Sequence, residues 1–136
     1  MTINMFRGKH HFLSNFHHSP FTYEGVRYQN AEAAFHAQKD PSRAYQFKNL
    51  SPNEAKRLSR RVTLRKDWED VKDTIMYGVV RQKFIENKTL AKRLLATGKI
   101  ELIEGNWWND TYWGVCEGKG QNKLGNILMK VRDELK

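Results

Sequence analysis

At 136 residues the chain has room for about one domain, so its core and any active site must share the same short sequence. Its single cysteine, Cys116, excludes an internal disulfide and a zinc site built on cysteine pairs. No apolar run reaches the length of a membrane span, and the opening MTINMFRGKHHF lacks the apolar core of a secretion signal, so a cytoplasmic protein without a membrane partner is expected.

The net charge of +9, from 24 Lys and Arg against 15 Asp and Glu, favours polyanionic partners such as nucleic acid or phosphorylated metabolites. In chain order, SPFTYEGVRYQ alternates apolar and polar residues around Glu24-Gly25, which predicts two short strands joined by a tight turn. Asn30 then caps a helix through QNAEAAFHAQKD. SPNEAKRL carries a capping box, with Ser51 at the cap, Pro52 in the first turn and Glu54 three residues after Ser51. Asp67 is placed to cap the longest helix, whose apolar positions run through Trp68, Val71, Ile75, Val79 and Phe84. Asn87 can cap the next helix, which stops at Gly98. KIELIEG alternates as a strand, the segment from Asn106 to Asn122 is irregular with a short strand in YWGVCE, and LGNILMKVRDELK closes the chain as a helix. The expected fold is a single compact α+β domain over residues 1–136, mainly helical with a few short strands.

Three features carry possible chemistry. Glu32, Phe35, His36 and Lys39 fall on one stripe of the first helix, a mixture of acid, ring, imidazole and ammonium that suits neither a core face nor a solvated one. A surface ion pair involving His36 is the plainer explanation. Trp107, Trp108, Asp110, Tyr112 and Trp113 crowd one loop, where indoles can stack on planar rings and a carboxylate can meet a ribose or a developing cation; a small hydrophobic cluster pinning the loop explains any one tryptophan equally well. GKGQNKLG leads into the last helix, and Gly118, Gly120 and Asn122 could bring backbone amides to a phosphate, although the segment matches neither the dinucleotide fingerprint nor a Walker motif. A run of cations, Lys56, Arg57, Arg60, Arg61, Arg65 and Lys66, forms either a phosphate-binding rim or a solvated helix end. The histidine pairs His10-His11 and His17-His18 do not have metal-ligand spacing, so neither a metal nor another cofactor is expected.

The segments FLSNFHHSPFTYEGVRYQNAEAAFHAQK, RKDWEDVKDTIMYGVVRQKF, LLATGKIELIEG and DTYWGVCEGKGQNKLGNILMKVR together resemble the NADAR, or YbiA-like, family from about Phe12 to Arg132. The resemblance implies an N-glycosidase. Some members are associated with ribosylamino-pyrimidine phosphates of riboflavin synthesis, others with removing ADP-ribose from guanine in nucleic acid, so the implied partners are a ribosyl-phosphate or ADP-ribosyl substrate and ADP-ribosylated DNA or RNA. The motif positions imply Glu32, Lys39 and Asp110 as catalytic residues. They imply Asn15, Phe16, Phe35, His36, Arg65, Trp68, Trp113, Gly118, Gly120 and Asn122 as substrate-binding residues. Ala33 and Ala34 stand where the family more often carries larger side chains, which bears on substrate choice. A non-catalytic ADP-ribose or nucleic-acid binding module is the alternative, though such a module has no need of Glu32 and Lys39 together.

Overall fold

In a computed structural model that describes all 136 residues, the chain is α+β, with short strands β1 (Thr2–Ile3), β2 (Phe21–Tyr23), β3 (Val26–Tyr28), β4 (Glu101–Leu102), β5 (Gly105–Asn106) and β6 (Val115–Cys116). Its α-helices are α1 (Ala31–Ala37), α2 (Pro52–Ser59), α3 (Trp68–Glu86), α4 (Lys88–Ala96) and α5 (Lys123–Glu134), joined by two 3-10 helices, Gly8–Leu13 and Pro41–Phe47. The residues divide into two compact units, Asn15–Asn87 and a second made of Met1–Ser14 with Lys88–Lys136. No helix is long and apolar enough to cross a membrane.

The first unit is built on the predicted hairpin. Strands β2 and β3 pair antiparallel with Phe21 opposite Tyr28 and Tyr23 opposite Val26. Glu24 and Gly25 both take positive φ, 49° and 82°, the geometry that lets a two-residue turn follow the strand twist. Asn30 caps α1 as expected, its Oδ1 accepting from the Ala33 amide at 2.8 Å, while its Nδ2 donates to the Leu50 carbonyl at 3.0 Å. Alanines 31, 33, 34 and 37 are fully buried, small enough for α1 to pack closely within a core that includes Phe21, Tyr28, Phe47, Ala55 and Val79.

Helix α1 is shorter than its sequence pattern suggests. It ends at Ala37, where the amides of Gln38 and Lys39 turn back onto the carbonyls of Phe35 and His36 in tighter, three-residue steps. Pro41 follows shortly, and the residue before a proline is driven out of helical geometry, so Asp40 leaves the helix at φ −144° and ψ 82° and Lys39 lies in the turn between. The capping box of α2 is present in full: Ser51 Oγ accepts from the Glu54 amide at 3.2 Å and Glu54 Oε1 accepts from the Ser51 amide at 2.8 Å.

Helix α3 packs on the hairpin at Gly78, where an added Cβ would lie 3.0 Å from the Tyr23 hydroxyl. Its expected cap, Asp67, makes no capping bond, because its carboxylate pairs with Arg65 instead. Asn87 directs its side-chain amide to the carbonyls of Lys83 and Pro20, finishing α3.

In the second unit, β1 pairs parallel with β4 and β5 parallel with β6. Gly98 closes α4 in the left-handed region at φ 65°, as its sequence position predicts. Arg132, buried on α5, donates from Nη1 to Thr97 Oγ1 at 2.9 Å and to the Ile100 carbonyl at 2.8 Å, tying α5 to the segment before β4. Cys116 is buried, as a small apolar residue would be.

Candidate active site

Eight of the thirteen candidate residues lie in the first unit, and the structure gathers most of them at α1. Five of the seven α1 residues are buried; Glu32 and His36, one turn apart, are the exceptions. His36 Nε2 lies 3.0 Å from Glu32 Oε2, and with its proton on Nε2 the ring donates to the carboxylate. Their side chains are only 12% and 14% exposed, for His36 and Glu32 respectively, so the pair is well shielded. The Glu32 backbone is also fixed, its amide donating to the Asn15 carbonyl at 3.0 Å. Asn15 is itself buried and directs Nδ2 to Met76 Sδ at 3.4 Å. His36 Nδ1 is buried and has no hydrogen-bond partner within the chain. A buried ring nitrogen of this kind is costly unless something else meets it, which is a common property of binding sites.

Aromatic rings wall the pair. Phe35, buried, stands 5.1 Å from the Trp68 ring and 5.6 Å from the His36 ring in tilted arrangements, and Trp68 is itself buried at the start of α3. Lys39 places its ammonium 5.6 Å from the Trp68 ring centre. Burial lowers the Lys39 pKa; the charge of Glu32 opposes that shift, and Arg60 and Lys72 add to it. Lys39 therefore remains near Glu32 although helix α1 has already ended. Arg60 belonged to the basic run in the sequence. Lys72 was not singled out there, and its signal is the i,i+4 spacing from Trp68 on α3.

Arg65 has a framing role in this geometry. Its Nε and Nη2 donate to the two Asp67 oxygens at 2.7 and 3.2 Å, and its backbone amide donates to the Lys39 carbonyl at 2.8 Å, so it holds the turn that carries Lys39. Phe16 is 38% exposed, with the Lys56 ammonium 5.7 Å from its ring centre.

The other five candidates lie in the second unit, where each has a local structural part. Asp110 Oδ1 accepts from the amides of Tyr112 and Trp113 at 3.1 and 2.9 Å, forming the turn that sets Trp113 edge-to-face against Tyr112 at 4.8 Å. Trp107 and Trp108 are exposed, also edge-to-face, with Arg7 4.7 Å from the Trp107 ring centre.

Phosphate was expected at the start of α5, yet the amides of Asn122, Lys123 and Leu124 donate to the carbonyls of Gly114, Tyr112 and Trp113. A helix start closed in this way offers few free donors to an anion. Asn122 fastens β4 to α5, with Oδ1 accepting from Glu104 and Nδ2 donating to Leu102. Gly120 has a packing reason: a Cβ there would collide with the Gly114 carbonyl oxygen. Gly118, at φ 77°, has open space around it and is needed for its backbone conformation.

Comparison with known proteins places the chain in a class. The sequence model of the NADAR domain matches residues 5–136, and the chain belongs to the NADAR family. The N-glycosidase YbiA of Escherichia coli (strain K12) is 38% identical over 129 residues, which cover 90% of this chain and 80% of that protein. The riboflavin biosynthesis protein VVA0006 of Vibrio vulnificus (strain YJ016) is 41% identical over 132 residues, 93% of this chain but only 36% of that longer protein. The NMR structure of E. coli YbiA superposes with a TM-score of 0.85 at 35% identity, covering 99% of this chain and 83% of the other, so the α+β fold is shared.

Proposed function

We propose that this chain is an N-glycosidase, hydrolysing the bond between the anomeric carbon of a phosphoribosyl or ADP-ribosyl group and a base nitrogen. The two substrate classes in view are ribosylamino-pyrimidine phosphates of riboflavin synthesis and ADP-ribose carried on guanine in nucleic acid. Family membership and the naming of relatives as N-glycosidases support the reaction class. The observation that carries the reading is the shielded Glu32–His36 pair, held at 3.0 Å beside a desolvated Lys39.

Cleavage of a glycosidic bond builds positive charge on the sugar ring before water has fully attacked. A fixed carboxylate next to that ring stabilises the charge, and it does so more strongly where protein excludes water. Glu32 is assigned this role, with His36 orienting the carboxylate and Phe35 and Trp68 thinning the solvent. Water supplies its oxygen to the anomeric carbon, and the base nitrogen leaves with a proton. Lys39, with Arg60 and Lys72 as electrostatic neighbours, faces the phosphate-bearing end of the substrate. A lysine whose pKa is lowered also presents free amine more readily, so Lys39 is suited to attack the aldehyde of an opened ribose. Arg65 and Asp110 act as framework residues in this scheme.

The test is incubation with a ribosylamino-pyrimidine phosphate and, separately, with an ADP-ribosylated guanine oligonucleotide, followed by mass-spectrometric detection of ribose phosphate or ADP-ribose. Release that disappears in Glu32→Gln supports the proposal. Tight binding of either compound without any product would favour the non-catalytic binding module instead.

A further inference from the structure

At the start of α1 lies a cleft of about 310 Å³ whose lining includes Phe16, Gln29, Asn30, Asn49, Ser51 and Glu54. Its lining is linked to the Glu32 backbone at two points. Asn30 is the cap of the helix that carries Glu32, and Phe16 directly follows Asn15, whose carbonyl accepts the Glu32 amide at 3.0 Å.

The chemistry of the cleft differs from that around Lys39. His18 also lines it, the Lys56 ammonium stands 5.7 Å from the Phe16 ring centre and Arg57 acts electrostatically on Glu54, while the start of α2 at its rim is closed by the reciprocal Ser51–Glu54 bonds. Those same bonds hold the Glu54 carboxyl below the usual carboxylate range, so it is an anion at neutral pH. It accepts hydrogen bonds from an amine and a ring N–H, and the Gln29 and Asn49 carboxamides can donate or accept as required. Phe16 adds a partly exposed aromatic face at the same cleft, a surface on which a planar ring can stack.

We propose that this cleft receives the leaving base, an amino-substituted heterocycle stacked on Phe16 with its amine and N–H edge toward Glu54, Gln29 and Asn49. Resting on the N-glycosidase reading, this orients the whole substrate: base at the start of α1, ribose at Glu32, phosphate toward Lys39, Arg60 and Lys72. Glycine-rich amides at the start of α5 are then not required for phosphate.

Guanosine and inosine differ by the exocyclic amine alone and carry no phosphate, so they probe the cleft directly. In titrations followed by backbone amide chemical shifts, guanosine is expected to move the resonances of Phe16, Asn49 and Glu54 and to bind about ten-fold more tightly than inosine. Phe16→Ala should weaken guanosine by about ten-fold. Glu54→Gln, which preserves the capping box because glutamine serves there as well, should remove the preference for guanosine over inosine. Shifts confined to residues outside the cleft, or unchanged affinity in both variants, would overturn the inference; if the wild type still cleaved its substrate, the N-glycosidase reading would survive that result. Guanosine seated in the cleft of a protein that releases no product from either substrate would sustain the base-binding site and overturn the N-glycosidase reading.

Discussion

Replacing Glu32 by glutamine removes one charge and almost no volume, which separates its electrostatic role from its structural one. Two unit charges about 4 Å apart in a medium of effective dielectric near 20 interact by about 4 kcal/mol. The transition state carries only part of a charge and glutamine retains a dipole, so the expected loss is about 3 kcal/mol, or roughly 100-fold in kcat. The effect on folding should be small. The glutamine oxygen can still accept from His36 Nε2, now 3.0 Å from the carboxylate, and exchanging a charged for a neutral hydrogen bond at a site 14% exposed costs about 1 kcal/mol. Steady-state product release measured by chromatography, together with melting followed by circular dichroism, reads both quantities. Near wild-type kcat in Glu32→Gln would refute the electrostatic argument. Loss of activity with a melting temperature lowered by more than about 10 °C would make Glu32 a framework residue instead.

Lys39→Ala should also lower turnover, and if the amine forms an imine with opened ribose, borohydride will trap a sugar adduct in the wild type and none in the variant; an untrapped wild type leaves Lys39 with substrate binding alone. Gly120→Ala should destabilise the protein by about 3 kcal/mol or more, since the new Cβ meets the Gly114 carbonyl oxygen, and an unchanged urea midpoint would refute that. Lys83 is fully buried on α3, and burial lowers its pKa from 10.5 to about 7. Between those values the unfolded chain holds a proton the folded chain has lost, so stability should rise with pH from about 7 to 10.5 through this group. Urea titrations of Lys83→Met across that range should show a shallower rise than the wild type, and identical slopes would count against the assignment.

Much of the first unit was legible because its signals are local. The Glu24-Gly25 turn, the Asn30 cap, the Ser51–Glu54 box and the i,i+4 spacing of Glu32 and His36 each depend on residues within four positions of one another. The end of α1 was misjudged because periodicity continued through Lys39 while Pro41, two residues on, set the limit. Strand β4 falls inside the KIELIEG segment that alternates as a strand, whereas β1 was harder to read, since it has two residues and Thr2 pairs with Glu101 across almost the whole sequence. No alternation can be expressed in so short an element. The segment before α5 was read for its glycines and asparagine as a phosphate loop, but those residue types serve equally well for backbone close approach. The close approach itself depends on the placement of the Gly114 carbonyl, which no local pattern encodes.

The mixed stripe on α1 makes physical sense once the burial of the rest of that helix is considered. A helix of seven residues contributes little stability of its own, and α1 is held by what surrounds its alanines. Such a helix cannot shift without disturbing packing around most of its residues, so the two side chains that remain polar are carried on a nearly immobile support. Glu32 is anchored at its backbone by Asn15 and at its carboxylate by His36, while Lys39 is set by the turn that Arg65 holds. Charge stabilisation in a transition state depends on dipoles and charges that need not reorganise as the reaction proceeds. The same burial that makes the sequence pattern look inconsistent, an acid and an imidazole on an otherwise apolar helix, is what holds the acid in the fixed position that its proposed role requires.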